Sequence, residues 1–145
     1  MCPMKIAKLT NKQRGTLGVF LGIALNAFGD WVLGVRIEVF KGMATFTFPW
    51  MVDVFLVPFL SGMLVGKVYA KRGGKWLACI PPLVVRSISY FKLYFVDHPP
   101  GDFFYSLHLH YWGPCVILAV EAANFGGILS EVLAGAYARK VVETK

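Results

Sequence analysis

The chain has 145 residues, 57% of them hydrophobic, with fifteen Lys and Arg against eight Asp and Glu and a formal charge of +7. So apolar a composition excludes a conventional water-soluble domain, because almost nothing remains outside the apolar stretches from which to build one. The positive charge does not call for nucleic acid: the bases gather beside the apolar stretches, where anionic headgroups attract each of them by about 1 kcal/mol.

In chain order, Lys5, Lys8, Lys12 and Arg14 precede a first apolar stretch over 16–35, about the ~20 residues a helix needs to cross the hydrocarbon. A basic start before an apolar run also marks a signal peptide, but no small-x-small cleavage site follows, so 16–35 is read as a span. It carries Asn26 and Asp30 on one face and Gly18/Gly22 spaced as G-x-x-x-G. Arg36 and Lys41 lead into a second span, 50–70, with Pro49 in its first turn, Asp53 near its start, Pro58 inside it and Gly62/Gly66 as a second G-x-x-x-G.

Lys67, Lys71, Arg72 and Lys75 separate this from a third span, 76–96, which contains the Pro81-Pro82 pair, Arg86 and Lys92. Prolines inside spans free carbonyls one turn earlier, so kinks are expected at Pro58 and at Pro81-Pro82. A fourth span, 111–137, has Pro114 in its first turn, then Glu121, Asn124, Gly127 and Glu131, and is followed by Arg139, Lys140 and Lys145.

These elements predict an all-α membrane protein, a single polytopic domain over 1–145 with four transmembrane helices in two hairpins. Eleven of the fifteen bases flank the two chain ends and the connection between the second and third spans, so the positive-inside rule places both termini in the cytoplasm, in a bacterial inner membrane. Trp31, Trp50 and Trp112 then fall at the outer boundary, and Trp76, Tyr69 and Tyr137 at the inner one. Residues 59–71 and 128–140 resemble each other, a weak parallel internal repeat; small residues before a basic stop would produce the same likeness without one.

Charges inside the hydrocarbon are expensive unless partnered. Counting residues from the span ends puts Arg86 and Glu121 each about ten residues deep, at the midplane, where they are expected to pair. Asp30, Asp53 and Lys92 share a second depth, and Glu131 lies at one that Lys67 can approach. Glu121, Asn124, Ile128 and Glu131 fall on one helical stripe, and Asn26 with Asp30 makes a similar pair. Two readings stay open: a hydrophilic path for a proton, ion or small polar solute, or neutralised pairs that fix helix register. The small-residue faces, Gly18/Gly22, Gly62/Gly66, Ala119/Ala123/Gly127 and Ser130/Ala134/Ala138, suit either internal packing or contact between chains.

The segment between the third and fourth spans holds His98, His108 and His110; in extended backbone the last two point one way and, with His98, make a weak candidate metal site. Cys2, Cys79 and Cys115 form no C-x-x-C pair. Phosphate-cradling, nucleophile-elbow and zincin motifs are all lacking, so the sequence points to no enzyme and no cofactor. The expected role is an accessory or scaffolding subunit of a larger inner-membrane complex, with membrane lipids and other integral subunits, or further copies, as partners and no nucleic acid. The alternative is a small oligomeric transporter or channel using the polar stripe of the fourth span.

Overall fold

The computed structural model describes residues 9–37, 39–97, 102–135 and 137, without the side chains of Tyr94, Asp97 and 102–110. Cys2, Lys5, Lys8, His98, Arg139, Lys140 and Lys145 lie outside the described residues. The described residues form four helices and no strand: α1 (Asn11–Leu33), α2 (Phe48–Tyr69), α3 (residues 74–97) and α4 (Asp102–Leu133). Three of them are long and apolar enough to cross a membrane, namely α1, α2 and the Tyr111–Leu133 part of α4. The helical membrane protein expected from the hydropathy pattern is therefore present.

The helix ends follow local chemistry that hydropathy does not register. α1 starts five residues ahead of the expected 16, because Thr10 and Gln13 form a capping box that satisfies the first amides of a polar turn. It stops at Gly34, whose left-handed backbone directs its N–H to the Asp30 carbonyl. Thr47 caps α2 through the Trp50 amide, and Pro49 sits in the first turn where its missing N–H costs nothing.

Each internal proline is met by a backbone adjustment. Ahead of Pro58, residues Val52–Leu56 adopt a π-helical turn, in which the Val57 N–H reaches the Val52 carbonyl. Ahead of Pro81-Pro82, α3 is interrupted at Cys79, so that Gly74–Ala78 and Ile80–Lys92 are separate pieces and both prolines fall in the first turn of the second. A further π-helical turn, Leu93–Asp97, ends it. α4 begins at Asp102, nine residues before the expected 111, which leaves Pro114 inside the helix and not in its first turn. The extended segment expected at His108 and His110 is thus helix.

The packing is inverted relative to a water-soluble bundle. The buried face of α1 consists of Gly15, Gly18, Gly22, Asn26 and Gly29, while Phe20, Phe28 and Trp31 are exposed. Small residues inside and large apolar residues outside are what helices use when lipid removes the hydrophobic reward for burying bulk. α2 and α4 make the tightest crossing: a Cβ on Gly62 would run into the Ala123 carbonyl, and one on Gly126 into that of Phe59. α1 meets α3 at Gly22, where a Cβ would lie 2.6 Å from Pro81 Cγ. Ile37, Trp50, Val54 and Cys115 form a small core beneath the α1–α2 connection. Trp50 is consequently buried and donates to Tyr111 at 3.0 Å, whereas Trp31, at 77% exposure, is free to meet a headgroup layer.

Candidate functional site

Polar groups collect at two places on these helices, and a third stands apart. The first is a buried charge cluster. Arg86 of α3, 1% exposed, places Nη2 at 2.9 Å from Asp30 Oδ1 of α1 and 3.0 Å from Asp53 Oδ2 of α2. The same nitrogen donates to the Asp53 backbone carbonyl at 3.1 Å. Trp112 of α4 donates from Nε1 to the Arg86 carbonyl at 3.3 Å, with its ring 4.7 Å from that of Tyr90. Three helices therefore converge on one guanidinium, which carries a fixed charge where two carboxylates meet, and α4 holds the backbone of the same residue through Trp112.

This corrects the expected partnership. Arg86 pairs with Asp30 and Asp53 and not with Glu121, because α3 turns its arginine toward α1 and α2 while Glu121 is exposed, within electrostatic reach of Cys79 at the break in α3. Lys92, expected to join Asp30 and Asp53, is exposed at the rim of a cavity that Asp30 also lines. Beneath the cluster, Asn26 is fully buried; its Nδ2 donates to the Gly22 carbonyl of its own helix at 2.9 Å, and Ser61 donates to the same carbonyl at 3.2 Å. The Asn26 Oδ1, Asp53 Oδ1 and Asn124 Oδ1 atoms are buried without a hydrogen-bond donor.

The second place is the opposite end of the bundle. Glu131 of α4, 2% exposed, accepts the Lys75 amide at 3.0 Å and the Tyr137 hydroxyl, within reach of the Gly73 amide as well. Arg72 stands 5.1 Å above the Tyr137 ring. The carboxylate thus occupies the start of α3, where unpaired amides and the helix dipole both favour a negative group. Lys67, which the sequence suggested as its partner, is exposed instead. The hydrogen bond to Glu131 holds the Tyr137 phenol above its ordinary pKa, and local burial adds to the effect.

Glu121 stands apart. It lies mid-way along the apolar part of α4, exposed among Ile117, Leu118 and Phe125, and no hydrogen bond or ion pair joins it to a described residue. The stripe expected over Glu121, Asn124, Ile128 and Glu131 accordingly splits: Glu131 is buried, Asn124 and Ile128 are half-buried, and Glu121 faces out. Gly18, Gly22, Gly62, Gly66 and Gly127 all sit at helix crossings, against Val65, Pro81, Ala123, Ser130 and Lys75 respectively. The described residues contain no group of three metal-ligating side chains; His98 and the side chains of His108 and His110 lie outside them.

Fold and site together define a helical membrane protein with a buried arginine–dicarboxylate knot. Comparison with protein-family models, with curated proteins and with solved structures gave no match.

Proposed function

We propose that the chain is an accessory or scaffolding subunit of a larger assembly in a bacterial inner membrane, with α3 as a fourth span and both termini in the cytoplasm. The observation that carries this reading is the exposure of Glu121 on an apolar face of α4. An ionised carboxylate facing lipid at that depth costs at least ~2.5 kcal/mol, and a neighbouring helix that brings a base or a hydrogen-bond donor removes the penalty. This chain has no described base to offer there, since Arg86 is committed to Asp30 and Asp53. A copy of the same chain would therefore bring no free midplane cation, which favours an unlike partner.

The orientation rests on the eleven bases at the termini and the α2–α3 connection. The likeness of residues 59–71 to 128–140 supports a parallel repeat of two hairpins. A second reading, a small oligomeric transporter, is favoured by the donor-less buried oxygens of Asn26, Asp53 and Asn124, which a water or ion would satisfy.

Purification in mild detergent separates the two. We expect an unrelated chain to co-elute in fixed stoichiometry with the wild-type protein and to be lost from Glu121→Gln, whose own melting temperature stays unchanged. A clean homo-oligomer that conducts protons or cations in vesicles, with flux abolished by Glu121→Gln, would overturn the subunit reading.

A further inference from the structure

A groove at the start of α1 takes no part in the charge knot, the Glu121 face or the Glu131 cap. Asn11, Lys12, Thr16, Val19 and Ile23 lie on one continuous stripe of α1, and that stripe walls a cavity of about 650 Å³. The opposite wall is Tyr69, at the end of α2, with Leu77 and Ile80 of α3. The volume is within the range of roughly 300–1,000 Å³ typical of ligand sites. Gly15 is the floor: a Cβ there would lie 3.2 Å from Leu77 Cδ1 and 3.7 Å from the Tyr69 ring. Thr16, Phe20 and Ile80 along the edges are exposed, so the groove opens to the surrounding lipid.

The groove is graded along its length. Lys12, in the first turn of α1, is exposed, and among the described residues nothing pairs with its ammonium. No acid lines the groove, and α1 brings none to its first turn, so the positive end of the helix dipole adds to the lysine. Deeper in, Val19, Ile23, Leu77 and Ile80 make an apolar trough. From Lys12 to Ile23 is eleven residues (23 − 12), or about 17 Å of helix. Half of a hydrocarbon core ~30 Å thick is about 15 Å, so the groove runs the depth of one leaflet.

We propose that this groove is a binding site for an anionic phospholipid, with the phosphate at Lys12 and one acyl chain laid along Val19, Ile23, Leu77 and Ile80. Charge and length argue together. A base above an apolar trough one leaflet deep matches a headgroup above an acyl chain, whereas a free anion has no use for the trough and a purely apolar ligand none for the lysine. Basic pockets between transmembrane helices on the cytoplasmic side are recurring sites of anionic headgroups, and in the orientation proposed above Lys12 stands on that side. The inference is independent of whatever chain docks on α4, and binding in a micelle is read whichever way the chain is oriented.

The test is native mass spectrometry of the full chain after exchange into micelles containing phosphatidylglycerol or phosphatidylcholine, with melting temperature measured on every variant. We expect phosphatidylglycerol to be retained in preference to phosphatidylcholine. Lys12→Gln should weaken that retention about fivefold. Lys71→Gln removes an exposed base that does not line the groove, and should change retention by less than about twofold. Thr16→Phe fills the trough from α1 and Ile80→Phe fills it from α3, neither altering the charge, and each should abolish retention. Both positions are exposed, so these variants should melt as the wild type does; if one melts lower, the other decides. Equal losses from Lys12→Gln and Lys71→Gln would show diffuse attraction to the basic end and overturn the site. So would equal retention of the two lipids, or retention indifferent to both fillings. Displacement by inorganic phosphate with both fillings tolerated would show a free-anion site and equally overturn the lipid assignment.

Discussion

The sharpest perturbation available is one methyl group at the α2–α4 crossing. In Gly62→Ala the new Cβ would lie 2.9 Å from the Ala123 Cα and nearer still to its carbonyl oxygen. Ordinary contact begins near 3.4 Å, and 3.4 − 2.9 is 0.5, so the helices must part by more than 0.5 Å. Both atoms belong to backbone, and no rotamer change relieves them. A gap of ~0.5–1 Å forfeits about a quarter to a half of each dispersion contact along the seam, which here includes Gly66 against Ser130 and Gly126 against Phe59. Overpacking of this kind costs about 3 kcal/mol. The control is Gly113→Ala in the same α4, where the new methyl meets nothing within 4 Å beyond its chain neighbours; no crossing is disturbed, and a helix-propensity gain of up to ~1 kcal/mol is set only against local crowding by Pro114. Reversible unfolding in mixed micelles titrated with dodecyl sulfate measures both. If Gly62→Ala and Gly113→Ala lie within about 0.5 kcal/mol of each other, the close crossing is refuted.

Other outcomes follow from the charged groups. Arg86→Met leaves the fully buried Asp53 without its base and should cost about 3–5 kcal/mol; adding Asp53→Asn should recover part of it, whereas adding Glu121→Gln should be additive to within about 0.5 kcal/mol in the same unfolding assay. Because its bond to Glu131 raises the Tyr137 pKa, the stabilisation from that phenol is complete below its unfolded value of about 10 and is lost as pH rises through the folded one. Melting curves of the wild type should therefore fall more steeply above pH ~10 than those of Tyr137→Phe, and parallel curves would remove the bond from the account. Single cysteines at positions 5, 101 and 143, tested with an impermeant reagent on intact cells, should label only at 101; labelling at 5 or 143 would invert the topology.

Hydropathy and glycine spacing made the class of the fold legible. The buried face of α1 also extends the Gly18/Gly22 motif, since Gly15, Asn26 and Gly29 continue its spacing. The partner of Arg86 was harder, because counting residues from helix ends gives depth and not direction. Direction was recoverable in part. Asp30 lies four residues after Asn26, on the face those glycines mark, so it must point inward. Glu121 lies two residues, or about 200°, from Ala119, so a helix that packs its small face on α2 turns Glu121 outward. What no pattern announced is the π-helical turn ahead of Pro58. It adds a residue to one turn of α2 and so resets the direction in which Asp53 points. The capping of α3 by Glu131 was equally hidden, since it joins residues 56 apart in the chain.

That cap bears on how the protein is made. The first piece of α3 starts at Gly74, and its N-cap Gly73 brings no side-chain cap; the helix also carries Lys75, Arg86 and Lys92, so it is the element least able to stay in a bilayer alone. Its countercharges belong to α1 and α2, which emerge from the ribosome before it; its cap belongs to α4, which emerges after. During synthesis α3 can find Asp30 and Asp53 as soon as it appears, yet its leading amides wait for Glu131. Insertion of the last helix is then also the step that secures the third, and truncation before residue 131 should leave a chain that quality-control proteases recognise as unfinished.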